Sequence, residues 1–485
     1  MLTLLLIVFP LLASLLVFFT KGNGARNIAL GASVIEFVLS LVAFFQFRNN
    51  PAAALLEFKR PWVASLGVQY WVSMDALGLL MVMLTTFLVP LIILSSYKNE
   101  YEKPNSFYGL ILMMQMALVG VFVANDGFLF YVFWELALIP IYFICLLWGG
   151  DNRAAITFKF FVYTLLGSLF MLVGLIYLYN HTNVDGAKSW AVRDLYEAGK
   201  ALTATQQGVV FWLIFIAFAI KMPIIPFHTW QPDTYVTAPT QGTMLLSGIM
   251  LKMGTFGVIK WLLPMVPLGL AQWGPTAILL SSIGVVYASI IAIMQKDFKR
   301  LIAYSSIAHV GLISAGILSA NQQGVQGAVM QMLAHGVNVV GLFFIAEIIL
   351  QQTGTRQIAE LGGIRNLNGN FAFLFLVIML GSVALPLTNG FVGEFLLING
   401  VYQFSPGMAA FAGLSVILGA VYMLRGYQNI MLGEAKPGLT FGKLAQSEKA
   451  VLIIICAAII TFGIYPKPLN DIAEIGTKQV LELMK

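Results

Sequence analysis

The sequence predicts an all-α polytopic membrane protein of about fourteen spanning helices, and three observations carry that prediction. The chain is 59% hydrophobic and 10% charged, with a mean hydropathy of +0.87. Soluble domains run at roughly 45–50% apolar and about 25% charged. The apolar residues form continuous runs of roughly 20, the length that crosses a bilayer as a helix, whereas a membrane barrel would alternate apolar and polar positions. Lysine and arginine gather between the runs and not in one patch, so the net charge of +6 is no nucleic-acid footprint.

The runs fall near 2–20, 27–47, 75–96, 106–124, 127–149, 155–179, 208–231, 240–263, 271–295, 301–320, 324–351, 370–402, 408–430 and 447–465. Met1 to Thr20 has the length of a secretory leader but lacks a basic start and a clear cleavage site, so it reads as a retained first span. Cys145 and Cys456 lie inside apolar runs without disulfide or metal spacing and read as small core residues. The tryptophans mostly flank spans, as an interfacial belt would.

One set of loops carries Lys21, Arg26, Lys98, Lys103, Arg153, Lys296, Lys299, Arg300, Arg356, Arg365, Lys436, Lys443 and Lys449. The short loops of the other set, 125–126, 264–272, 321–323 and 403–407, carry none. The basic set is therefore expected on the cytoplasmic (or matrix) side, and an even span count puts both termini opposite.

Two spans are interrupted. The seventh places Lys221, Pro223, Pro226 and His228 in "FAIKMPIIPFHTWQPDTYVTAPT", and the twelfth, "LGSVALPLTNGFVGEFLLING", holds Pro386, Asn389, Gly390 and Gly393. Paired interruptions in two halves of a chain point to inverted repeats around a transport site. The registers differ, since Lys221 precedes its proline by two residues while Glu394 follows Pro386 by eight. Spacing alone leaves the repeat open.

A charge at the bilayer centre costs about 2.5–3.5 kcal/mol on insertion scales. Even so, Glu135, Lys221, Lys252, His309, His335 and Glu394 all fall near mid-depth, with Tyr304, Ser305, Ser306, Gln331 and Asn338 able to bridge them. That set suits proton relay. A lysine in a low dielectric releases its proton more readily, and a carboxylate nearby reverses the effect, so Glu135 beside Lys221 forms a candidate switch. Imidazole passes protons either way near neutrality. Carbonyls freed at the prolines would bind water, since irregular backbone is tolerated in a membrane where it lines a wet cavity.

Blander readings stand beside these. A lone lysine can be a structural ion pair or snorkel, and a lone histidine can simply pack. His228 reads as interfacial or as a relay member, and Lys159, Lys260, Glu347 and Arg425 as anchors near span ends. Glu36, central in the second span, has no evident partner and reads as a packing or lipid-contact residue. The chain has no nucleotide-binding glycine loop, no cysteine cluster and no histidine pair at haem or zinc spacing. A redox or nucleotide-driven machine built on it keeps those parts on other subunits.

The blocks "FWELALIPIYFI", "AFAIKMPIIPFHTWQPDTYVTAPT", "SGIMLKMGTFG", "KDFKRLIAYSSIAHVG" and "GFVGEFL" occur in that order between Gly109 and Leu397. Together they resemble the antiporter-like membrane subunits of proton-pumping NADH:quinone oxidoreductase, respiratory complex I. The M type is most similar, because Glu394 stands where the L and N types usually carry lysine, and no long lateral helix follows the last span. The resemblance implies Glu135 and Lys221 as a coupled pair, Lys252 as inner relay, His309 and His335 on the axis, and Glu394 as terminal carboxylate. It also implies N-terminal helices 1–3 over 1–105, five-helix repeats over 106–263 and 271–430, and a last helix and tail over 431–485. NADH, FMN, iron–sulfur clusters and quinone would belong to partner subunits, with L-type and N-type subunits on the flanks and none of these cofactors on this chain. The expected location is an energy-transducing membrane, the bacterial inner membrane foremost. Rival readings are a subunit of a multi-subunit cation/proton antiporter, a hydrogenase- or ferredoxin-linked relative, and an independent small-molecule transporter with a roomy midplane cavity.

Overall fold

The computed structural model describes residues 1–20, 22–50 and 56–485; Lys21, assigned above to the basic loops, lies outside them. In chain order the helices are α1 (Leu2–Phe18), α2 (Asn23–Asn49), α3 (Ala76–Ser95), α4 (Pro104–Val123), α5 (Gly127–Trp148), α6 (Arg153–His181) and α7 (Val192–Lys200). There follow α8 (Ala204–Lys221), α9 (Gln231–Thr237), α10 (Thr240–Met265), α11 (Pro267–Ile293), α12 (Phe298–Leu318) and α13 (Gln322–Thr353). The last are α14 (Ile364–Leu367), α15 (Gly369–Ser382), α16 (Asn389–Phe404), α17 (Pro406–Met431), α18 (Gln446–Ile464) and α19 (Lys467–Leu483). Twelve are long and apolar enough to cross a membrane; α1 and the broken pair α15–α16 bring the crossings to the fourteen expected.

Burial sorts these helices. α10 is buried along its whole length and α12 nearly so, while α2, α6, α17 and α18 keep more than half of their surface positions open. The open faces carry Phe158, Leu166, Phe411 and Ile417, side chains that hydrocarbon solvates at no cost. Spans begin at side-chain caps: Asp75 accepts from Gly78 N at 2.7 Å, Asp126 from Phe128 N and Leu129 N at 3.0 Å, and Asn321 from Gly324 N at 2.8 Å. Each cap satisfies amide donors that a helix start leaves without partners.

Three features were not read from the sequence. An antiparallel hairpin, β1 (Glu57–Val63) and β2 (Val68–Ser73), occupies part of the long 48–74 segment, with its register shifting next to Pro61. Proline belongs at such an irregularity because it cannot donate to the ladder. Asp126 also accepts from Gln69 N at 2.9 Å, which ties the hairpin to α5. The amphipathic α19 packs against α3 and α13. Trp134, Trp230 and Trp261 are buried, so the belt reading fails for them.

Both breaks fall where the prolines placed them. α8 stops at Lys221, and turns through 222–230, with a cis Ile225–Pro226 bond, lead into α9. Between α15 and α16, Ala384 and Leu387 adopt φ of 54° and 74°, a left-handed conformation costing side-chain-bearing residues about 1–3 kcal/mol each. The surrounding packing holds this strain in place. Gly324 and Gly327 on α13 face Gly393, Leu397 and Gly400 on α16, and the backbones approach closely: a Cβ on Gly400 would meet Gly324 Cα at 2.3 Å, and one on Gly393 would meet Gln331 N at 2.7 Å.

That seam fixes where Glu394 points. Gly400→Val should force the two backbones apart, at the roughly 1–3 kcal/mol typical of overpacking. The expected result is a lower thermal midpoint for the extracted assembly; an unchanged midpoint would contradict the close approach.

Candidate functional site

The midplane of the fold gathers the ionisable residues into two groups. The larger runs Lys252–His335–His309–Glu394. Lys252 lies where α10 loosens, with π-helical turns over Leu246–Met250 and Val258–Leu262 on either side. Such turns leave carbonyls short of helical partners and occur often at functional sites. One of them, Ser247 O, accepts from Lys252 Nζ at 2.6 Å, and His335 Nδ1 lies 2.8 Å from the same Nζ. Both partners can accept, so this seat holds the ammonium or the neutral amine alike.

The His335 and His309 rings stand 5.7 Å apart between centroids. His309 Nδ1 lies 2.8 Å from Ser305 O and 3.4 Å from Ser305 Oγ. Its Nε2 lies 3.0 Å from Ser382 O, at the break of the twelfth span, and 3.5 Å from Glu394 Oε1. Two carbonyls can be satisfied together only by an imidazolium, for which Glu394 is the counter-charge. A neutral ring keeps the Ser382 bond and turns a lone pair towards Ser305 Oγ. Glu394 Oε1 also accepts from Gln331 Nε2 at 3.3 Å.

The second group is Glu135 with Lys221. Glu135 sits two residues before the interruption of α5 at Ala137, where Pro140 cannot donate to the Leu136 carbonyl. Lys221 ends α8, with Nζ 5.3 Å from the centre of the Trp134 ring, a cation–π distance. Glu135 and Lys221 make no ion pair, and Glu135 Oε1 has no protein partner among the described residues. No hydrogen bond joins this group to Lys252. A Cβ on Gly254 of α10 would meet Phe218 O at 2.9 Å, so the helices touch there through backbone and apolar side chains.

Several residues sit otherwise than expected. The carbonyl freed at the first break, Ile220 O, is taken by Trp230 Nε1 at 2.9 Å, where water was anticipated. His228 packs inside the chain against Tyr287, with 5.3 Å between ring centres. Lys260 is buried and pairs at 2.7 Å with Asp75, the cap of α3, so it joins two span ends. Glu347 accepts from Thr240 Oγ1 at 2.5 Å and Gln351 Nε2 at 2.9 Å, so it holds helices together. Glu36 is 0% exposed, with neither oxygen partnered among the described residues, which removes the lipid-contact reading. Sequence reasoning missed Ser382, which follows only from its position one turn before Pro386.

His335 Nε2, Gln331 Oε1, Asn338 Oδ1 and Ser306 Oγ have no protein partner among the described residues, and all four residues line one void of ≈ 10 Å³. A void of about 10–15 Å³ is the least that admits a water molecule. Among the described residues no three histidine, cysteine, aspartate or glutamate side chains converge as metal ligands.

Residues 124–419 match the family model described as NADH:quinone oxidoreductase/Mrp antiporter, transmembrane. NADH-quinone oxidoreductase subunit M of Rickettsia conorii is 38% identical over 457 residues, covering 94% of this chain and 92% of the relative. F420H2 dehydrogenase subunit M of Methanosarcina mazei is 35% identical, covering 99% and 98%. A chain of respiratory complex I from Thermus thermophilus with bound NADH superposes with a TM-score of 0.90 at 30% identity, covering 100% of both chains. A chain of the Mrp complex from Dietzia sp. superposes with a TM-score of 0.87 at 18% identity, covering 99% and 97%, a likeness of fold alone.

The four unpartnered groups should hold one ordered water, visible in a map fine enough to show solvent. Asn338→Leu should expel it and strand a buried donor, costing about 1–3 kcal/mol of thermal stability. A dry void, or a variant as stable as the parent, would count against this reading.

Proposed function

The chain belongs to the family of NADH:quinone oxidoreductase and Mrp antiporter membrane subunits, and from that premise we propose that it is the M-type proton-translocating subunit of an NADH:quinone oxidoreductase. The observation that carries the proposal is the contact chain Lys252–His335–His309–Glu394, buried at mid-membrane and anchored on freed backbone carbonyls. Each member can hold a proton, and each charge alters its neighbour's hold on one.

In operation, Glu135 and Lys221 form the first station. A carboxylate close to Lys221 keeps it loaded, and withdrawal of that carboxylate releases the proton towards Lys252. Passage across the gap between Lys221 and Lys252 requires water to enter between α8 and α10, which touch through Gly254. From Lys252 the proton moves through the two imidazoles to Glu394. Redox chemistry drives the sequence from partner subunits: these hold NADH, FMN, iron–sulfur clusters and quinone, and L-type and N-type subunits flank this one in a bacterial inner membrane.

The repeat division, 106–263 against 271–430, rests on the resemblance and on the two interruptions, one between α8 and α9 and one between α15 and α16. The antiporter reading shares the fold, but identity of 38% over nearly the full length with M subunits favours the oxidoreductase. The F420H2 dehydrogenase relative leaves the electron donor to the partner subunits.

Lys221→Ala and Glu135→Ala should assemble, retain quinone reduction in uncoupled membranes, and lose most proton pumping. Pumping per electron pair equal to wild type in either assembled variant would refute the assigned roles.

A further inference from the structure

A cavity of ≈ 830 Å³ opens on the face that carries the basic loops, between the C-terminal ends of α11 and α17, and its lining includes Lys296, Leu301, Arg425, Gly426, Lys436 and Tyr422. Lys296, Arg425 and Lys436 make no ion pair among the described residues, so the mouth is charged and wet. Gly419, Tyr422 and Gly426 recur at helical spacing on one face of α17, and a Cβ on Gly426 would meet Leu301 Cδ1 of α12 at 3.6 Å. The missing side chain at Gly426 lets the cavity run inwards along α12. It ends at Tyr422, which is 2% exposed.

Behind that ring the polar contacts continue. Ser305 Oγ donates to Tyr422 Oη at 3.1 Å and lies 3.4 Å from His309 Nδ1. The inner end of the cavity is thus two hydroxyls away from the central histidine. The geometry also distinguishes the two faces of that ring, since Nδ1 turns to Ser305 and Nε2 to Ser382 and Glu394.

We propose that this cavity is a second aqueous access route, leading from the basic-loop face to His309, with Tyr422 as the hydroxyl that closes it. The Ser305 hydroxyl first turns from Tyr422 to His309 Nδ1 and the Tyr422 hydroxyl turns to Ser305 Oγ; a hydrated proton in the cavity then reaches the Tyr422 oxygen as the Tyr422 hydrogen passes to Ser305 Oγ and the Ser305 hydrogen passes to His309 Nδ1. One proton enters and one arrives; both hydroxyls end neutral and no electron moves. The new imidazolium then donates from Nδ1 to Ser305 O and from Nε2 to Ser382 O, with Glu394 as counter-charge. His309 would accordingly load without passage through Lys221 and Lys252. This rests on the relay reading for what the proton does next, while water access to Tyr422 stands apart from it.

The test uses the assembled complex in vesicles of both orientations, with a membrane-impermeant maleimide as probe and wild type as background. Gly426→Cys and Tyr422→Cys should both react from the basic-loop face and not from the other. Failure of Tyr422→Cys to react, or reaction only from the opposite face, would overturn the route. Tyr422→Phe keeps the ring and its packing, so it remains informative if Tyr422→Cys does not assemble; it should retain uncoupled quinone reduction and lose most proton pumping. Wild-type pumping in Tyr422→Phe would overturn the role of its hydroxyl. Normal pumping in Lys221→Ala, with labelling as expected, would instead refute the relay and leave the access route standing.

Discussion

Hydrocarbon offers a backbone carbonyl nothing to bond with, and this fold meets that constraint at three places where its helices depart from regularity. Ser247 O, beside a π-turn, receives Lys252; Ser382 O, at a break, receives His309; Ile220 O, at the other break, receives Trp230. Two of these three donors can also carry a proton. The irregular backbone and the ionisable side chains are therefore one structural device: a helix break inside the membrane is tolerable because a polar side chain covers it, and the side chain is tolerable because the carbonyl covers its hydrogen. From this pairing follow the placement of His309 between two carbonyls and the exposure of Glu394 to its Nε2.

The rest of the core serves to hold these pieces at contact distance. The glycine seam between α13 and α16 brings Glu394 and Gln331 within 3.3 Å, and Gly254 lets α10 touch the end of α8. In a bilayer the apolar effect adds little between helices, so close backbone packing through small residues takes over its role. The void beside His335 marks the limit of that packing: four polar groups converge there without protein partners.

Much of this was legible in the sequence. Runs of apolar residues gave the crossings, prolines gave the breaks, and the rarity of charge at mid-depth singled out Glu135, Lys221, Lys252, His309, His335 and Glu394. The contacts between them were not legible, because helical phase and tilt decide whether two mid-depth residues on separate spans meet. Lys252 and His335 do so; Glu135 and Lys221 share a neighbourhood without an ion pair. Lys260 and Glu347 could be placed near span ends, but their partners Asp75 and Thr240 could not be named, because position along a span says nothing of what faces it. The hairpin could have been found from the alternation in "VQYWVS", whereas the role of Ser382 depends on a carbonyl, which no side-chain pattern reveals.

If His309 and Glu394 share a proton within one conduit, the Glu394 carboxyl must change state or hydrogen bonding during turnover. Infrared difference spectra of the assembled complex, reduced against oxidised, test this directly. The account expects a carboxyl band that disappears in Glu394→Gln and shifts in His309→Gln. A spectrum in which no turnover-dependent band responds to either substitution would contradict it.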